Sequence, residues 1–315
     1  MKCEQNTEEE LPETVSKIAN FDFQSLWFGR EKVISTERHI LSSLLGRTDG
    51  RRILEAGTGD GRLSDVVQSN SLEYVGTDIN PSFLRKVAGI NEDEKVRFLS
   101  SNLYHLPFED CSFSTVVMIR VFNFLTRPIS AMLEIMRVLA PGGSIIMSYN
   151  PKPSIATLVD DIKVALRHSV KSGVTWEPVT FSSSGRVRLQ PSDIPVFAVS
   201  TRYFNNLMNN SGFSTVAECA SGLEDYRFVD RLPVELFQKL ALSFYHLPVM
   251  PTRFVLAKKV NGNGEFIADR DKIYCCPQCR SPISIDEHAF DTPCIKCSFV
   301  VSKSEGLPDL RYFPD

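Results

Sequence analysis

A chain of 315 residues, 43% of them hydrophobic and 23% charged, has the composition of a soluble globular protein with one large domain and an accessory one. Its net charge of −3 gives no bulk signal for a nucleic acid or an anionic membrane. The longest apolar runs are far shorter than the roughly 20 residues that a membrane-spanning helix needs. The acidic, polar N-terminus has no signal-peptide core, which predicts a cytoplasmic location.

Residues 1–45 are predicted to form an N-terminal helical segment. Their apolar residues recur at helical spacing between Phe21 and Leu45, whereas residues 1–15 are expected to fray. An amphipathic helix needs a larger body to pack against. We therefore expect the main domain to begin near residue 46.

Strands alternate with helices in the region that follows. The runs TVVMI (Thr115–Ile119) and SIIMS (Ser144–Ser148) are continuously apolar or β-branched, which is typical of strands covered on both faces. Such alternation predicts an α/β fold with a doubly wound, mainly parallel sheet. Further strands are predicted at residues 51–55, 72–77, 96–99, 213–219 and 253–258, and helices near residues 61–70, from Pro81, at 129–139 and near 201–211.

Two stretches depart from this alternation. Residues 151–200 are polar and contain prolines, and we interpret them as a cap inserted in the domain that spans residues 46–260. A short run of alternating asparagine and glycine begins a flexible linker at residues 261–268. Residues 269–315 then form a second, small domain.

The sequence EAGTGDG, residues 55–61, follows the first predicted strand directly. Glycine-rich turns between a strand and a helix hold nucleotides and related ligands, because bare backbone amides and a helix N-terminus face the ligand there. The dinucleotide pattern requires a glycine where this chain has Arg62, and no lysine follows as in a triphosphate loop. The glycines therefore predict close approach of another ligand; a tight strand-to-helix turn is the alternative interpretation.

Polar groups after the next two strands support a ligand site. Asp78 ends the second strand, where a carboxylate can accept both hydroxyls of a ribose. Asn102 and Leu103 follow the third strand, where an adenine edge would lie. The sequence LPFEDCSF comes next, and RVLAPGG later leads into a further strand.

In this order and at these distances, EAGTGDG, the Asp78 strand end, LPFEDCSF and RVLAPGG resemble a class I S-adenosylmethionine-dependent methyltransferase of the UbiE-like (type 11) group. The resemblance covers residues 20–260. It implies a Rossmann-like sheet of seven mainly parallel strands with a reversed last strand, and S-adenosylmethionine as the cofactor. It also implies that the cofactor contacts Glu55, Gly57, Thr58, Gly59, Gly61, Asp78, Ile79, Asn102 and Leu103.

The same resemblance implies a role for each of these positions. The glycines would line the methionine moiety with Glu55 near its ammonium group, Asp78 would hold the ribose hydroxyls, and Ile79 would pack on adenine. The family usually has aspartate at the positions of Asn102 and Ser114. An amide carbonyl at Asn102 can still accept a hydrogen bond from the adenine amine, and Ser114 is interpreted as structural.

The acceptor site is less well marked. Methyl transfer from a sulfonium is an in-line displacement, so the protein mainly aligns the acceptor and excludes water, and a base is needed only if the acceptor loses a proton. Ligands of open α/β sheets lie beyond the C-terminal ends of the strands. Trp27, Phe28 and Arg30 would cover the cofactor, as this segment often does in the family, or clasp the sheet. The weak catalytic candidates are Arg120, Asn123, Tyr149 and His246.

Five of the eight cysteines lie in the last 41 residues. Two C-x-x-C knuckles can direct four thiolates at one zinc ion, and a module of about 45 residues buries so little core that the metal would supply its folding free energy. Cys275 is a bystander or a substitute for Cys276, and an iron–sulfur cluster is the alternative occupant. We predict a structural zinc site formed by Cys276, Cys279, Cys294 and Cys297.

The residues around these knuckles resemble small zinc ribbons related to the methyltransferase-activator family. Such ribbons also occur fused to methyltransferases, including a group that modifies ribosomal RNA guanine, although there the ribbon precedes the catalytic domain. A ribbon of this kind would bind RNA or a protein partner. In this chain the ribbon follows the catalytic domain, so the function of that group applies less directly here.

Three functions therefore remain open: methylation of a small molecule, methylation of an rRNA or tRNA base with the ribbon binding the substrate, and a non-catalytic binding module. Residues 265–315 contain nine acidic and six basic residues, whereas phosphate binding needs a basic excess. The intact glycine loop argues against lost catalysis. We predict a methyltransferase with a small-molecule acceptor under the cap.

Overall fold

The computed structural model describes residues 30–89, 93–152, 186–188, 196–221, 250–260, 262–285, 290–291 and 293–314, together with positions 233, 235, 236 and 239. No helix in these ranges is long and apolar enough to cross a membrane. The described elements, in chain order, are α1 (Glu31–Leu45), β1 (Arg52–Ala56), α2 (Ser64–Ser69), β2 (Glu73–Asp78), α3 (Pro81–Ala88), β3 (Val96–Ser101), β4 (Phe113–Met118), α4 (Pro128–Val138), β5 (Leu139–Tyr149), β6 (Arg186–Arg188), β7 (Phe197–Val199), α5 (Thr201–Asn210), β8 (Phe213–Ser221), β9 (Thr252–Lys259), β10 (Ser302–Ser304) and β11 (Leu307–Leu310).

The central sheet has the predicted doubly wound arrangement. Seven of its strands lie in the order β3-β2-β1-β4-β5-β9-β8. Strands β1 to β5 are mutually parallel, and β9 runs antiparallel to both of its neighbours, β5 and β8. The fold prediction is confirmed, including the reversed last strand.

Helices cover both faces of the sheet because its central strands are apolar on both sides. Every residue of β1 and β4 is buried. One face packs on α1, α2 and α3 around Ile40, Leu44 and Leu84, and the other face packs on α4 and α5 around Ile135 and Phe204. Burial of each such side chain contributes roughly 1.5–3 kcal/mol, so this sheet provides a rigid base for the loops at its C-terminal edge.

The C-terminal domain extends the same sheet, which the sequence did not predict. Strand β11 pairs in parallel with β3, through Asp309 with Ser100 and Leu310 with Ser101, and β10 pairs antiparallel with β11. Among the described residues the sheet therefore has nine strands, in the order β10-β11-β3-β2-β1-β4-β5-β9-β8. An unpaired edge strand leaves backbone donors and acceptors open to other chains, and β11 satisfies those of β3.

The predicted linker is anchored to the base of the sheet. The buried guanidinium of Arg52 donates hydrogen bonds to the carbonyl oxygens of Ile267, at 2.6 Å, and Ala268, at 3.0 Å. The guanidinium of Arg51 stacks over the ring of Phe266 at 4.3 Å. A buried arginine is stable only when its donors are satisfied, so the charge of Arg52 holds the last part of the linker against the domain.

Two local predictions need correction or limits. Helix α4 ends at Val138, before Pro141, because Leu139 already pairs with Phe113 as the first residue of β5. Within the predicted cap, β6 and β7 form a separate antiparallel pair. The rest of residues 153–195 lies outside the described residues.

Candidate cofactor site and cysteine cluster

A cavity of about 350 Å³ opens where β1, β2, β3 and β4 end, at the edge where the sequence predicts a ligand. Eight of the nine predicted cofactor residues line it, and Gly61 does not. The lining also includes Arg30, which follows from the expectation that the N-terminal segment covers this site. Residues that the sequence did not indicate are Arg62, Phe83, Tyr104 and Val196, because each lies on a loop or helix without a motif of its own.

The glycines of the loop are required for different reasons. Gly57 and Gly61 have positive φ angles of 82° and 81°, which side chains other than glycine rarely adopt. A Cβ atom would lie 2.2 Å from Val121 Cγ2 at Gly57 and 2.6 Å from a methyl carbon of Val87 at Gly61. Protein side chains therefore occupy the Cβ positions of both glycines; Gly57 also lines the cavity, whereas Gly61 does not, which corrects the sequence-based explanation for Gly61.

At Gly59 the situation is the opposite. Its φ is 58°, and a Cβ atom there would have no other described heavy atom within 4 Å. The residue lines the cavity. Open space beside this backbone is the feature that fits a bound cofactor.

Three amides of the loop already have partners and are not free donors for a ligand, in contrast to the prediction. The N–H groups of Gly57 and Thr58 both donate to the carbonyl oxygen of Thr77, at 2.8 and 3.0 Å. The N–H of Gly61 donates to the Thr58 carbonyl. The loop thus contributes shape and carboxylates to the site, which suits a cationic ligand better than a phosphate.

Asp78 ends β2 with its side chain at the cavity. One carboxylate oxygen accepts the N–H of Gly59 and the other accepts the N–H of Asn80, both at 2.9 Å. Burial raises the pKa of this carboxyl, against the backbone N–H groups, which lower it. Each oxygen keeps a lone pair for a further donor, so the carboxylate is held in place for two hydroxyl groups.

Asn102 lines the cavity, but its amide is already engaged. Its Oδ1 accepts the N–H of Tyr104 at 3.1 Å, and its Nδ2 donates to the carbonyl oxygen of Tyr312 at 2.8 Å. An aspartate could not donate this second bond. The amide therefore links the expected adenine end of the cavity to the C-terminal segment, and Leu103 and Ile79 line the same end.

The other end of the cavity contains two of the four catalytic candidates. Arg120 lines it with a positive φ of 62°, and Asn123 lines it with its Oδ1 accepting the N–H of Asn150 at 3.1 Å. Tyr149 does not line the cavity, because its buried ring stacks on Phe204 at 3.9 Å, which removes it from contact with a substrate there. His246 lies outside the described residues.

A buried ion-pair network fixes the wall around Arg120. The carboxylate of Glu37, on α1, accepts from Arg120 Nε at 2.8 Å and from Arg62 Nη1 at 2.5 Å, and it is fully buried. Burial acts to raise the pKa of Glu37, but the charges and hydrogen bonds of the two arginines outweigh it and lower the pKa. The sequence carried no signal for this network, since its members come from three separate segments.

Comparison with known proteins shows what the domain around this cavity is similar to. Residues 54–147 match the sequence model of the family described as a methyltransferase domain. A Listeria monocytogenes protein, solved as an S-adenosylmethionine-dependent methyltransferase, shares the fold with a TM-score of 0.53 at 13% identity, covering 72% of this chain and 97% of its own. Residues 54–147 are therefore similar to a methyltransferase domain, and the described residues share the fold of that solved protein.

Two curated relatives match part of this chain. A demethylmenaquinone methyltransferase of Clavibacter sepedonicus is 30% identical over 110 residues, which are 34% of this chain and 44% of the relative. A protein of Mycolicibacterium smegmatis named as a probable S-adenosylmethionine-dependent methyltransferase is 30% identical over 125 residues, 40% of this chain and 46% of its own length. The chain spans less than half the length of these two relatives.

The four predicted metal ligands converge beyond the methyltransferase domain. Their Sγ atoms all lie within 4.8 Å of one another, and two pairs, Cys276 with Cys297 and Cys279 with Cys294, are 3.5 Å apart. Four thiolates at this spacing fit a tetrahedral ion with metal–sulfur distances of about 2.3 Å. Cys275 is buried outside the cluster, and its N–H donates to the Pro107 carbonyl of the methyltransferase domain at 3.1 Å.

Proposed function

We propose that the protein is an S-adenosylmethionine-dependent methyltransferase with a small-molecule acceptor. The observation that carries this proposal is the cavity at the strand ends, where Asp78 presents two carboxylate oxygens, Glu55 presents a second carboxyl group, and Gly59 presents an open backbone. Two hydroxyls and one ammonium group are the polar features of a nucleoside bearing an amino acid. The residues present therefore fit this cofactor.

Within this site the side chains would bind the cofactor and orient the acceptor, and none needs to react covalently. Asp78 would accept the ribose hydroxyls, Ile79 and Leu103 would flank the adenine, and Glu55 would face the methionine ammonium. The cofactor, when bound, supplies an activated methyl group, and the protein aligns the acceptor and excludes water. No histidine lines the cavity among the residues that the structure describes.

The lining of the acceptor end supports an apolar small molecule with a polar anchor. Ile119, Phe124 and Val196 are apolar, whereas Asn123 and Asn150 offer amide groups. One relative is named a demethylmenaquinone methyltransferase, so quinone-type acceptors are the first to screen. This lining is compatible with an acceptor oxygen and also with an acceptor carbon that a neighbouring hydroxyl activates.

Methylation of RNA is the less favoured alternative, because three of the six basic side chains in residues 265–315 already form ion pairs. Arg280 pairs with Glu134 at 2.8 Å, Arg311 pairs with Asp309 at 2.6 Å, and Lys272 pairs with Asp269 at 3.1 Å. RNA binding requires basic groups that are free to neutralise phosphates. The surface that packs on the methyltransferase domain supports a structural role for the ribbon, with zinc bound by the four cysteines.

The proposal is tested by calorimetric titration of S-adenosylhomocysteine. We expect micromolar binding to the wild type and a loss of about 100-fold or more in Asp78→Ala, because two hydrogen bonds to a charged group are worth about 1.5–3 kcal/mol each. Asp110→Ala is the matched control, since that carboxylate is exposed and pairs with Arg137 away from the cavity. A folded wild type that does not bind would instead support the non-catalytic binding module.

A further inference from the structure

A second buried polar cluster lies directly under the proposed cofactor site. Glu55, at the end of β1, is only 4% exposed and lines the cavity. Its Oε2 atom accepts a hydrogen bond from Ser64 Oγ at 2.7 Å and another from the hydroxyl of Tyr74, which enters from β2. The tyrosine hydroxyl is also 3.2 Å from Ser64 Oγ. One carboxylate oxygen therefore carries both hydrogen bonds.

The other oxygen of Glu55 has no such partner. Among the described residues no hydrogen bond to Oε1 is formed, although this atom is not among the fully buried polar atoms that lack one. It is therefore accessible from the cavity. Because Oε2 is occupied by two hydrogen bonds, Oε1 can accept a further hydrogen bond only from a group in the cavity.

The space for the tyrosine hydroxyl is formed by residues of β2 and β3. The ring of Tyr74 is 1% exposed and packs edge-on against Phe98, with ring centres 5.6 Å apart. A Cβ atom at Gly76 would lie 2.7 Å from the hydroxyl and 2.7 Å from Phe98. Burial raises the pKa of Tyr74 well above its usual value, so the hydroxyl keeps its proton and acts as a donor to Glu55.

The surroundings of Glu55 have opposing effects on the pKa of its carboxyl. Burial raises the pKa of its carboxyl to about 7, although the hydrogen bonds from Tyr74 and Ser64 and the positive charge of Arg62 lower it. The negative charge of Asp78 adds to the rise. About half of the carboxyl groups are therefore ionised at neutral pH in the ligand-free protein, and each hydrogen bond to Oε2 affects that fraction.

We propose that Tyr74 is a positioning residue of the cofactor site, which fixes Glu55 through Oε2 and leaves Oε1 for the ammonium group of the methionine moiety. This inference rests on the proposed function, because it requires a cofactor with a primary ammonium group in the cavity. The tyrosine itself is separated from the ligand by Glu55. Its effect on binding is therefore transmitted through the ionisation and orientation of that carboxylate.

The test is the affinity for S-adenosylhomocysteine of wild type and Tyr74→Phe, measured by calorimetry between pH 6 and pH 8.5. The wild-type affinity should rise with pH through about 7, as Glu55 ionises. Loss of the hydroxyl should raise the pKa of Glu55 by about one unit, which shifts this rise to higher pH and weakens binding about fivefold at pH 7. The two affinities should converge towards pH 8.5.

The controls separate this role from a packing role. Tyr274→Phe removes another buried hydroxyl, 3.5 Å from Arg97 and outside the cavity, and should leave the pH profile unchanged. Ser64→Ala removes the second donor to the same oxygen and should shift the profile in the same direction, which keeps the test decisive if Tyr74→Phe does not fold. A loss of affinity that is equal at every pH, or no loss, would overturn the inference. Absence of binding to the wild type would instead refute the proposed function.

Discussion

At the scale of single residues, Gly57 and Gly59 both have a left-handed backbone conformation, but a side chain would be excluded at each for a different reason. The site that a Cβ would occupy at Gly57 is taken by Val121, whereas at Gly59 it is empty and faces the cavity. A left-handed conformation costs other residues about 1–2 kcal/mol at either position. A side chain at the first glycine would clash with the fold, whereas a side chain at the second would enter the cavity.

This difference predicts opposite outcomes for two alanine substitutions. Gly57→Ala should lower the free energy of unfolding by about 3 kcal/mol, because overpacking adds to the backbone strain. Gly59→Ala should cost only about 1 kcal/mol of stability but should weaken S-adenosylhomocysteine binding more than tenfold, because its methyl group enters the cavity. Urea unfolding and calorimetry on both variants check this, and equal effects on the two measurements would contradict it.

At the scale of elements, the pairing of β11 with β3 explains an unusual residue. The resembling family has aspartate where this chain has Asn102, and only the amide can donate to the Tyr312 carbonyl just beyond β11. Arg311 Nη1 also donates to the carbonyl oxygen of Ile79, at 3.2 Å, after β2. The loops after β2 and β3 are thus bonded to the C-terminal segment. The hydrogen bond from Asn102 to the C-terminal segment therefore compensates for the loss of the aspartate.

We therefore expect Asn102→Asp to be more harmful than Asn102→Ala. The aspartate would bring a buried charge against a carbonyl oxygen and leave that carbonyl without its donor, at a cost of about 2–4 kcal/mol. The alanine removes this donor and the acceptor of the Tyr104 N–H, but it buries no charge and should cost about half as much. Denaturant unfolding of the two variants gives the comparison, and a fully stable Asn102→Asp protein would rule out this explanation.

At the scale of the whole molecule, the cysteine domain and the methyltransferase domain share one core. Ile273, Tyr274 and Leu310 are buried in the same apolar cluster as Phe108 and Phe113. Short backbone ladders connect the two parts, including the N–H of Glu109 to the Ile273 carbonyl at 2.7 Å. Disruption of the ribbon would therefore expose part of the main core and would not be confined to the C-terminus.

Removal of the proposed zinc should consequently destabilise the whole chain. We expect a chelator, or Cys294→Ser, to lower the melting temperature by about 6–12 °C, because the loss of roughly 3 kcal/mol has that effect on a domain of about 200 residues. Cys275→Ser should keep about one metal ion per chain, since Cys275 lies outside the cluster. Metal analysis with thermal unfolding checks both, and an unchanged transition after complete metal removal would contradict the structural role.

Much of the fold could be predicted because its signals are local. The continuous apolar runs of β4 and β5 and the loop after β1 lie in consecutive residues, so periodicity and glycine spacing reveal them. The buried contacts of Glu37, Arg120 and Tyr74 could not be predicted, because their partners come from distant segments. Tyr149 was chosen by its position after a strand, but its side chain points into the core against Phe204.

The sequence by itself determined the doubly wound sheet, the cofactor loop and the grouping of four cysteines, since each follows from the order of residues along one segment. Only the tertiary structure decided that the C-terminal domain extends the sheet edge, that Val121 occupies the Cβ position of Gly57, and that Asn102 bonds to Tyr312. The physical reason is distance along the chain. Contacts between remote segments depend on how the layers pack, and no short stretch of residues encodes that.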